Sequence, residues 1–390
     1  MPQLFEKVRE SSPMLRKDTT TVAAALGALA LVLFLWDACR ASETFFEAIG
    51  PREFRFPEDH ADHRGFQTEW WYYTGNLVSK DDRAFGFQLT FFRFQLKPWP
   101  LVSGSPWRSN QLYLAHFTIS DLENSKFLMV EKAGRATMAI GGASFDSERI
   151  RVFLHGWEAV IQGNTHRLRA VGDSFEIELE LVSEKPPVLH GDKGLSQKGE
   201  GLGKASYYYS LTRMKTRGVL RLGDDRLEVS GLSWMDHEFT SNILSKNQVG
   251  WDWMGLQLSG NRELMLYMLR HRDGSIDPFS SGTLVKNDGT SVHLSKEAFR
   301  IKPTDFWESK QSRARYPSGW QVEVFPYGMT LTVSPNLKDQ ELVTSQSTQV
   351  TYWEGSVAVT GTAAGEKVTG SGYVELTGYA GEFELRFQEP

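Results

Sequence analysis

The sequence predicts an all-β protein made of two antiparallel β-barrels in tandem, behind a hydrophobic N-terminal helix. Three observations carry that expectation. After residue 66, apolar and aromatic residues recur in short runs about 8–15 residues apart, with turn-forming residues between them. No long helical period follows residue 50. The second half of the chain also repeats, in order, features of the first. Composition agrees, since 12% of residues are aromatic and 35 are glycine, a mixture suited to many strands and tight turns.

Val22 to Trp36 is an unbroken apolar run of 15 residues, which Thr19 to Thr21 extend to 18 without charge, and Arg16 and Lys17 precede it. This is the layout of an export signal, although its length lies between a signal-peptide core and a spanning helix. Cys39-Arg40-Ala41 offers a small-residue cleavage pattern before Ser42. A lipoprotein site at Cys39 suits Trp36 and Asp37 less well. Residues 1–42 are therefore read as a signal or membrane anchor. The body is expected outside the cytoplasm, tethered by residues 19–36 or released after cleavage. With Cys39 as the single cysteine, a disulfide framework and a Cys-based zinc cluster are excluded. A net charge of −5, from 43 basic and 48 acidic residues, leaves no basic surplus for nucleic acid.

Along the body, Trp70 to Leu77 and Ala84 to Phe94 flank the polar tip Ser79–Arg83 as a hairpin. Strands follow at Leu112 to Ile119, Arg149 to Leu154, Ser174 to Leu181, Ser206 to Met214, Gly218 to Leu222 and Arg226 to Leu232. They resume at Trp251 to Leu258, Glu263 to Leu269, Thr283 to Lys286, Trp320 to Val324, Met329 to Val333, Val350 to Val359 and Gly372 to Leu376. Residues 184–204, rich in Gly, Lys and Pro, are expected to be a long mobile loop. Val229–Glu238 aligns with Val368–Thr377, each after a Gly-started strand at Gly218 or Gly355. Glu69-Trp70-Trp71 similarly resembles Trp251-Asp252-Trp253. Duplication is the better account of these matches, with domains at 43–240 and 241–390.

The densest candidate for chemistry is Trp234-Met235-Asp236-His237-Glu238. Strand alternation puts Trp234, Asp236 and Glu238 on one face and Met235 and His237 on the other. A carboxyl inside a barrel beside Trp would be desolvated and its pKa raised, the condition for protonating a weak base such as an alkene. A solvated strand end is the plainer alternative. His60-x-x-His63 with acidic neighbours has the residue types of a zinc site, but its spacing suits a helical turn and no further ligand pattern follows. Glu69 beside two tryptophans reads as a buried carboxylate paired with Arg93 or Arg213. No Gly-x-Ser-x-Gly, phosphate-cradling loop or His-Glu-x-x-His is present. Ser233 and His237 lie about 13 Å apart on an extended strand, too far for a nucleophile and its base. Trp70, Trp71, Trp234, Trp251 and Trp253 suit either a core or a ligand cage.

Phe56-Pro57-Glu58-Asp59-His60 with His63, Glu69-Trp70-Trp71-Tyr72, Trp234–Glu238, Gly250–Trp253, Tyr352–Gly355 and Gly372–Tyr379 together resemble one family. It is that of the carotenoid 1,2-hydratases (hydroxyneurosporene synthases) and their AttH-like relatives, over about residues 50–390. The resemblance implies two lipocalin-like barrels. It also implies cofactor-free, metal-free acid catalysis, in which Asp236 protonates an isoprenoid alkene and His237 orients it or activates water. Trp234, Trp251 and Tyr208 would stabilise the cation. Asp236 and His237 could cooperate only if the strand bulged or ended there. The export segment and closing motifs look more like the AttH-like branch, whose members resemble companions of ABC-type export systems. The expectation is an exported, tethered protein binding a lipid or isoprenoid at Glu69, Trp70, Trp71, Tyr208, Trp251 and Trp253, accessory to an ABC-type permease. The alternative is a hydratase-like lyase; a hydrolase has less support.

Overall fold

The computed structural model describes residues 44–98, 110–137, 139–146 and 148–384. The apolar run at residues 19–36, with its anchor and cleavage readings, lies outside the described residues. Within them the regular structure is strand, apart from the short 3₁₀ turns Glu58–His60, Lys296–Ala298 and Phe325–Tyr327. Among the described residues no helix is long and apolar enough to cross a membrane.

Two large antiparallel sheets form, each nearly closed into a barrel, beside a small two-stranded ribbon of Phe306–Glu308 and Arg315–Pro317. In the first, Thr68–Ser79, Ala84–Gln95, Gln111–Asp121 and Lys126–Arg135 pair in succession. The opening strand also pairs with Asp225–Thr240, which pairs with Ala205–Leu222, and that strand pairs with Phe175–Ser183. The chain then crosses at residues 241–247 and repeats the scheme. Gln248–Leu258, Arg262–His271, Ser281–Val285 and Ser291–Ser295 pair in succession. The opener pairs with Glu366–Leu376, which pairs with Thr351–Ala363, and that with Met329–Pro335. The aligned segments Val229–Glu238 and Val368–Thr377 thus occupy the same place in each sheet.

Ser206–Met214 and Gly218–Leu222, read from sequence as two strands, are one 18-residue strand, Ala205–Leu222. A register shift between Leu211 and Met214 marks a bulge that bends it along the barrel.

Each barrel interior is filled with side chains. Trp71, Tyr73, Phe85, Phe87 and Met235 belong to the first core, and Met254, Leu256, Trp320, Trp353 and Val374 to the second. Alternation aims the intervening residues outward, yet they too are buried. Tyr72, Tyr208 and Trp234 of the first sheet pack with Trp253, Tyr267 and Tyr373 of the second in a separate cluster. The outer faces of the two barrels are therefore packed against each other. The desolvated place expected inside a barrel lies instead in this seam, because the interiors leave no room.

Polar contacts pin the seam. Glu263 accepts hydrogen bonds from Lys185 Nζ at 2.8 Å and Arg213 Nε at 2.5 Å. Lys185 also donates to the carbonyls of Asn261 and Lys286, which satisfies its buried ammonium. The segment 184–204, expected to be mobile, is thereby seated across the seam, and Val188–Leu189 pairs with Tyr209 and Ser210. Its polar composition serves buried pairing rather than solvation.

Candidate active site

A cavity of about 110 Å³ lies in the seam. Corresponding rows of the two sheets form its walls. In the first, Tyr72 stands opposite Asp236, and Asp236 opposite Ser210. In the second, Trp253 stands opposite Glu375, and Glu375 opposite Glu354. Directly opposed residues of an antiparallel pair share a face, so the duplication presents each barrel's acidic row to the same space. The remaining wall is largely aromatic, with Trp70, Phe92, Tyr208, Trp251, Tyr267 and Tyr352.

Asp236 is held by neutral donors. Trp234 Nε1 donates to its Oδ1 at 2.6 Å and Tyr208 OH to its Oδ2 at 2.7 Å, while Ser210 Oγ also donates to Oδ1. Trp253 Nε1 in turn donates to Tyr208 OH at 3.0 Å. Burial pushes the Asp236 carboxyl up and nearby Glu238 adds to this, while the three hydrogen bonds hold it back, leaving it at about 7. Glu375 is likewise pushed up by burial to about 7, with Asp236 and Glu238 adding to the rise and the Trp251 hydrogen bond opposing it. Burial and Glu375 push Glu354 well above the usual carboxylate range, against a hydrogen bond from Tyr72 at 2.6 Å. Lys198 loses to burial but gains more from Glu238, 3.2 Å away, so its ammonium is held above the ordinary value.

Replacing Tyr208 with Phe should raise the Asp236 midpoint further, because a donor to the charged form is lost. A rise of about one to two pH units is expected, read from the carboxyl C=O infrared band; an unchanged midpoint would show that Tyr208 does not restrain it.

Of the residues read from sequence, Asp236, Trp70, Tyr208, Trp251 and Trp253 line the cavity. Trp234 does not reach it, and hydrogen-bonds Asp236 from behind. His237, Trp71 and Glu69 face the interior of the first barrel, since the strands alternate there without a bulge. His237 therefore cannot orient Asp236. Its Nδ1 pairs with Tyr209 OH at 2.8 Å and its Nε2 with Glu69 at 2.8 Å. Glu69 also accepts from Arg93 Nε at 2.7 Å, the ion pair expected from sequence, and contacts His63 Nδ1 at 2.7 Å. Arg213, the other partner considered, meets Glu263 instead.

The donor atoms of His63, Glu69 and His237 lie within 4.8 Å of one another, close enough to share a metal ion. They already bond to one another through Glu69, and Arg93 neutralises that carboxylate. His60 does not join them, and its Nδ1 meets Tyr209 OH at 2.6 Å.

Sequence reasoning missed Glu354, Glu375, Lys198 and Ser210 as site residues. Glu375 was within reach, because the repeat aligns it with Asp236. Lys198 was hidden in a segment whose composition resembles a solvated loop.

The sequence profile of the AttH-like family matches residues 47–379. The crystal structure of a Nitrosomonas europaea protein described as AttH is similar, with a TM-score of 0.76 at 30% identity, covering 86% of this chain and 100% of that one. The kievitone hydratase of Fusarium solani subsp. phaseoli is 23% identical over 243 residues, 58% of this chain and 64% of that protein, so the match spans under two thirds of the relative. The crystal structure of kievitone hydratase from Nectria haematococca shares the fold, with a TM-score of 0.59 at 16% identity over 87% of this chain and 99% of that one. With the duplicated barrels and the seam between them, the profile match over most of the length places this chain in the AttH-like family.

Proposed function

We propose that the protein is a hydro-lyase that adds water to an alkene of a largely apolar ligand held between the barrels, with Asp236 as proton donor. The observation that carries this is a buried carboxyl that faces an aromatic cavity and is hydrogen-bonded only by neutral donors, Trp234, Tyr208 and Ser210. An arginine against Asp236 would have fixed it as a carboxylate; Ser210, Tyr208 and Trp234 do not. In the reaction, Asp236 gives its proton to one alkene carbon, and the π faces of Trp70, Trp251 and Trp253 stabilise the cation. Water bonds to the cationic carbon, and its surplus proton passes to a carboxylate such as Glu375. The similarity to kievitone hydratase agrees in reaction type.

A carrier of a lipid or isoprenoid, tethered at a membrane and serving an ABC-type permease, is the second reading, favoured by the apolar run at residues 19–36. One experiment separates the two. Kievitone and a panel of isoprenoid alkenes are incubated with the protein in ¹⁸O-water, and products are read by mass spectrometry. Gain of one labelled water is expected. Its rate should peak near pH 7, falling above it as protonated Asp236 is depleted and below it as ionised Glu375 is depleted, each limb approaching about tenfold per pH unit. Ligands that are retained but unlabelled would overturn the hydratase reading in favour of the carrier.

A further inference from the structure

We infer that Thr283, His190 and Ser210 form a proton wire that recharges Asp236 across the seam between the barrels. This rests on the reading of Asp236 as an acid. Once Asp236 has given up its proton, it faces a cavity occupied by ligand, and a second route for protons is needed behind it. Ser210 Oγ bonds Asp236 Oδ1, and His190 Nε2 lies 2.6 Å from Ser210 Oγ. His190 Nδ1 lies 2.8 Å from Thr283 Oγ1 on the second sheet. All four residues are buried. Thr283 stands directly opposite His293 in the antiparallel pairing, so the two side chains share a face, and His293 is exposed.

Every intermediate member both donates and accepts. With Asp236 ionised, Ser210 donates to it, His190 Nε2–H donates to Ser210, and Thr283 donates to His190 Nδ1. One concerted shift moves the Ser210 proton to Asp236, the Nε2 proton to Ser210 and the Thr283 proton to Nδ1. Thr283 then takes a proton from the His293 side. One proton enters, Asp236 becomes neutral, and no net charge remains on the relay. Afterwards the chain points outward and must rotate back, the ordinary turn step of such a wire.

His190 suits the task because its imidazole stays neutral. Burial, Lys198 and His293 hold it well below the ordinary histidine value, and a neutral ring has one donor and one acceptor nitrogen. Its surroundings hold the ring in line between Ser210 and Thr283 while leaving it free to flip, with the Tyr208 ring 4.2 Å away and its backbone N–H donated to the Tyr208 carbonyl at 3.0 Å. The Lys185–Glu263 anchor holds the same segment across the seam. The wire thus uses the first sheet, the second sheet and the segment between them.

The test is rapid mixing from H₂O into D₂O below pH 6, with 1-octanol saturating the cavity so that cavity water does not reach Asp236, following carboxyl C=O infrared bands of the full chain. The band missing from Asp236→Asn identifies Asp236. Thr283→Val, two links from the carboxyl, should slow its exchange by about tenfold or more. His190→Gln should do the same, and Thr283→Ser should restore the rate. Melting temperature and the Glu375 band should be unchanged in Thr283→Val. Wild-type exchange of the Asp236 band in both Thr283→Val and His190→Gln overturns the wire while leaving Asp236 as an acid. If Asp236→Asn removes no band, Asp236 is not a neutral acid, and the proposed function falls with the wire.

Discussion

Asp236→Asn should lower the hydration rate by about 10²–10⁴, the usual contribution of a positioned general acid, while raising thermal stability in alkali. The second half of this expectation separates catalysis from structure. The Asp236 carboxyl sits at about 7 in the folded protein against an ordinary 3.8. The folded state therefore binds the proton more tightly than the unfolded state, and stability falls as pH rises between those values. Above about pH 7 the folded chain carries the full penalty of a buried carboxylate, about 4 kcal/mol at 1.36 kcal/mol per pKa unit. Asparagine is nearly isosteric and never ionises. The variant should match the wild type near pH 4, where Asp236 is neutral in the fold, and melt several degrees above it at pH 9. Scanning calorimetry at the two pH values checks this. A variant that melts lower at both would mark Asp236 as a structural hydrogen-bond acceptor, and its lost turnover would then say nothing about acid catalysis.

The strand alternation of Trp234, Asp236 and Glu238 against Met235 and His237 was legible, because a period of two is a local property of extended backbone. That Glu69 pairs with an arginine was legible too, as a carboxylate beside two tryptophans needs a cation, although the choice between Arg93 and Arg213 was not. What the alternation could not tell was which face lay inside a barrel. Both faces are buried, one against the barrel's own core and the other against the second barrel, so hydrophobicity along the strand does not distinguish them. The aromatic candidates divided for this reason, Trp70 entering the cavity and its neighbour Trp71 the first core. A site made by two barrels is written in residues about 140 apart, and here only the internal repeat connected them.

Glu69→Gln should destabilise the first barrel strongly, by about 3–5 kcal/mol. Glu69 and Arg93 are both fully buried, and the Arg93 Nε–Glu69 Oε2 contact is 2.7 Å. Glutamine keeps the shape but removes the anion, so the guanidinium remains in the core with neutral partners alone, among them the carbonyls of His63 and Phe66 and the Gln95 side chain. Burial alone would raise the Glu69 carboxyl, yet Arg93 and His63 outweigh it and hold it well below the ordinary range. A depressed carboxylate contributes stability above its unfolded value of 4.5, which is lost only as pH falls through the lower folded value. His63 adds a second dependence. Burial would lower its pKa, but Glu69 and Asp59 raise it above 6.5, so its stabilisation is present below 6.5 and fades as pH rises through the folded value. The penalty of Glu69→Gln should therefore be larger at pH 6 than at pH 9, as measured by urea unfolding at both. Glu69 faces away from the seam, so cavity ligands should bind the folded variant with unchanged affinity. A loss of affinity without a loss of stability would return Glu69 to the ligand site, where the sequence had placed it.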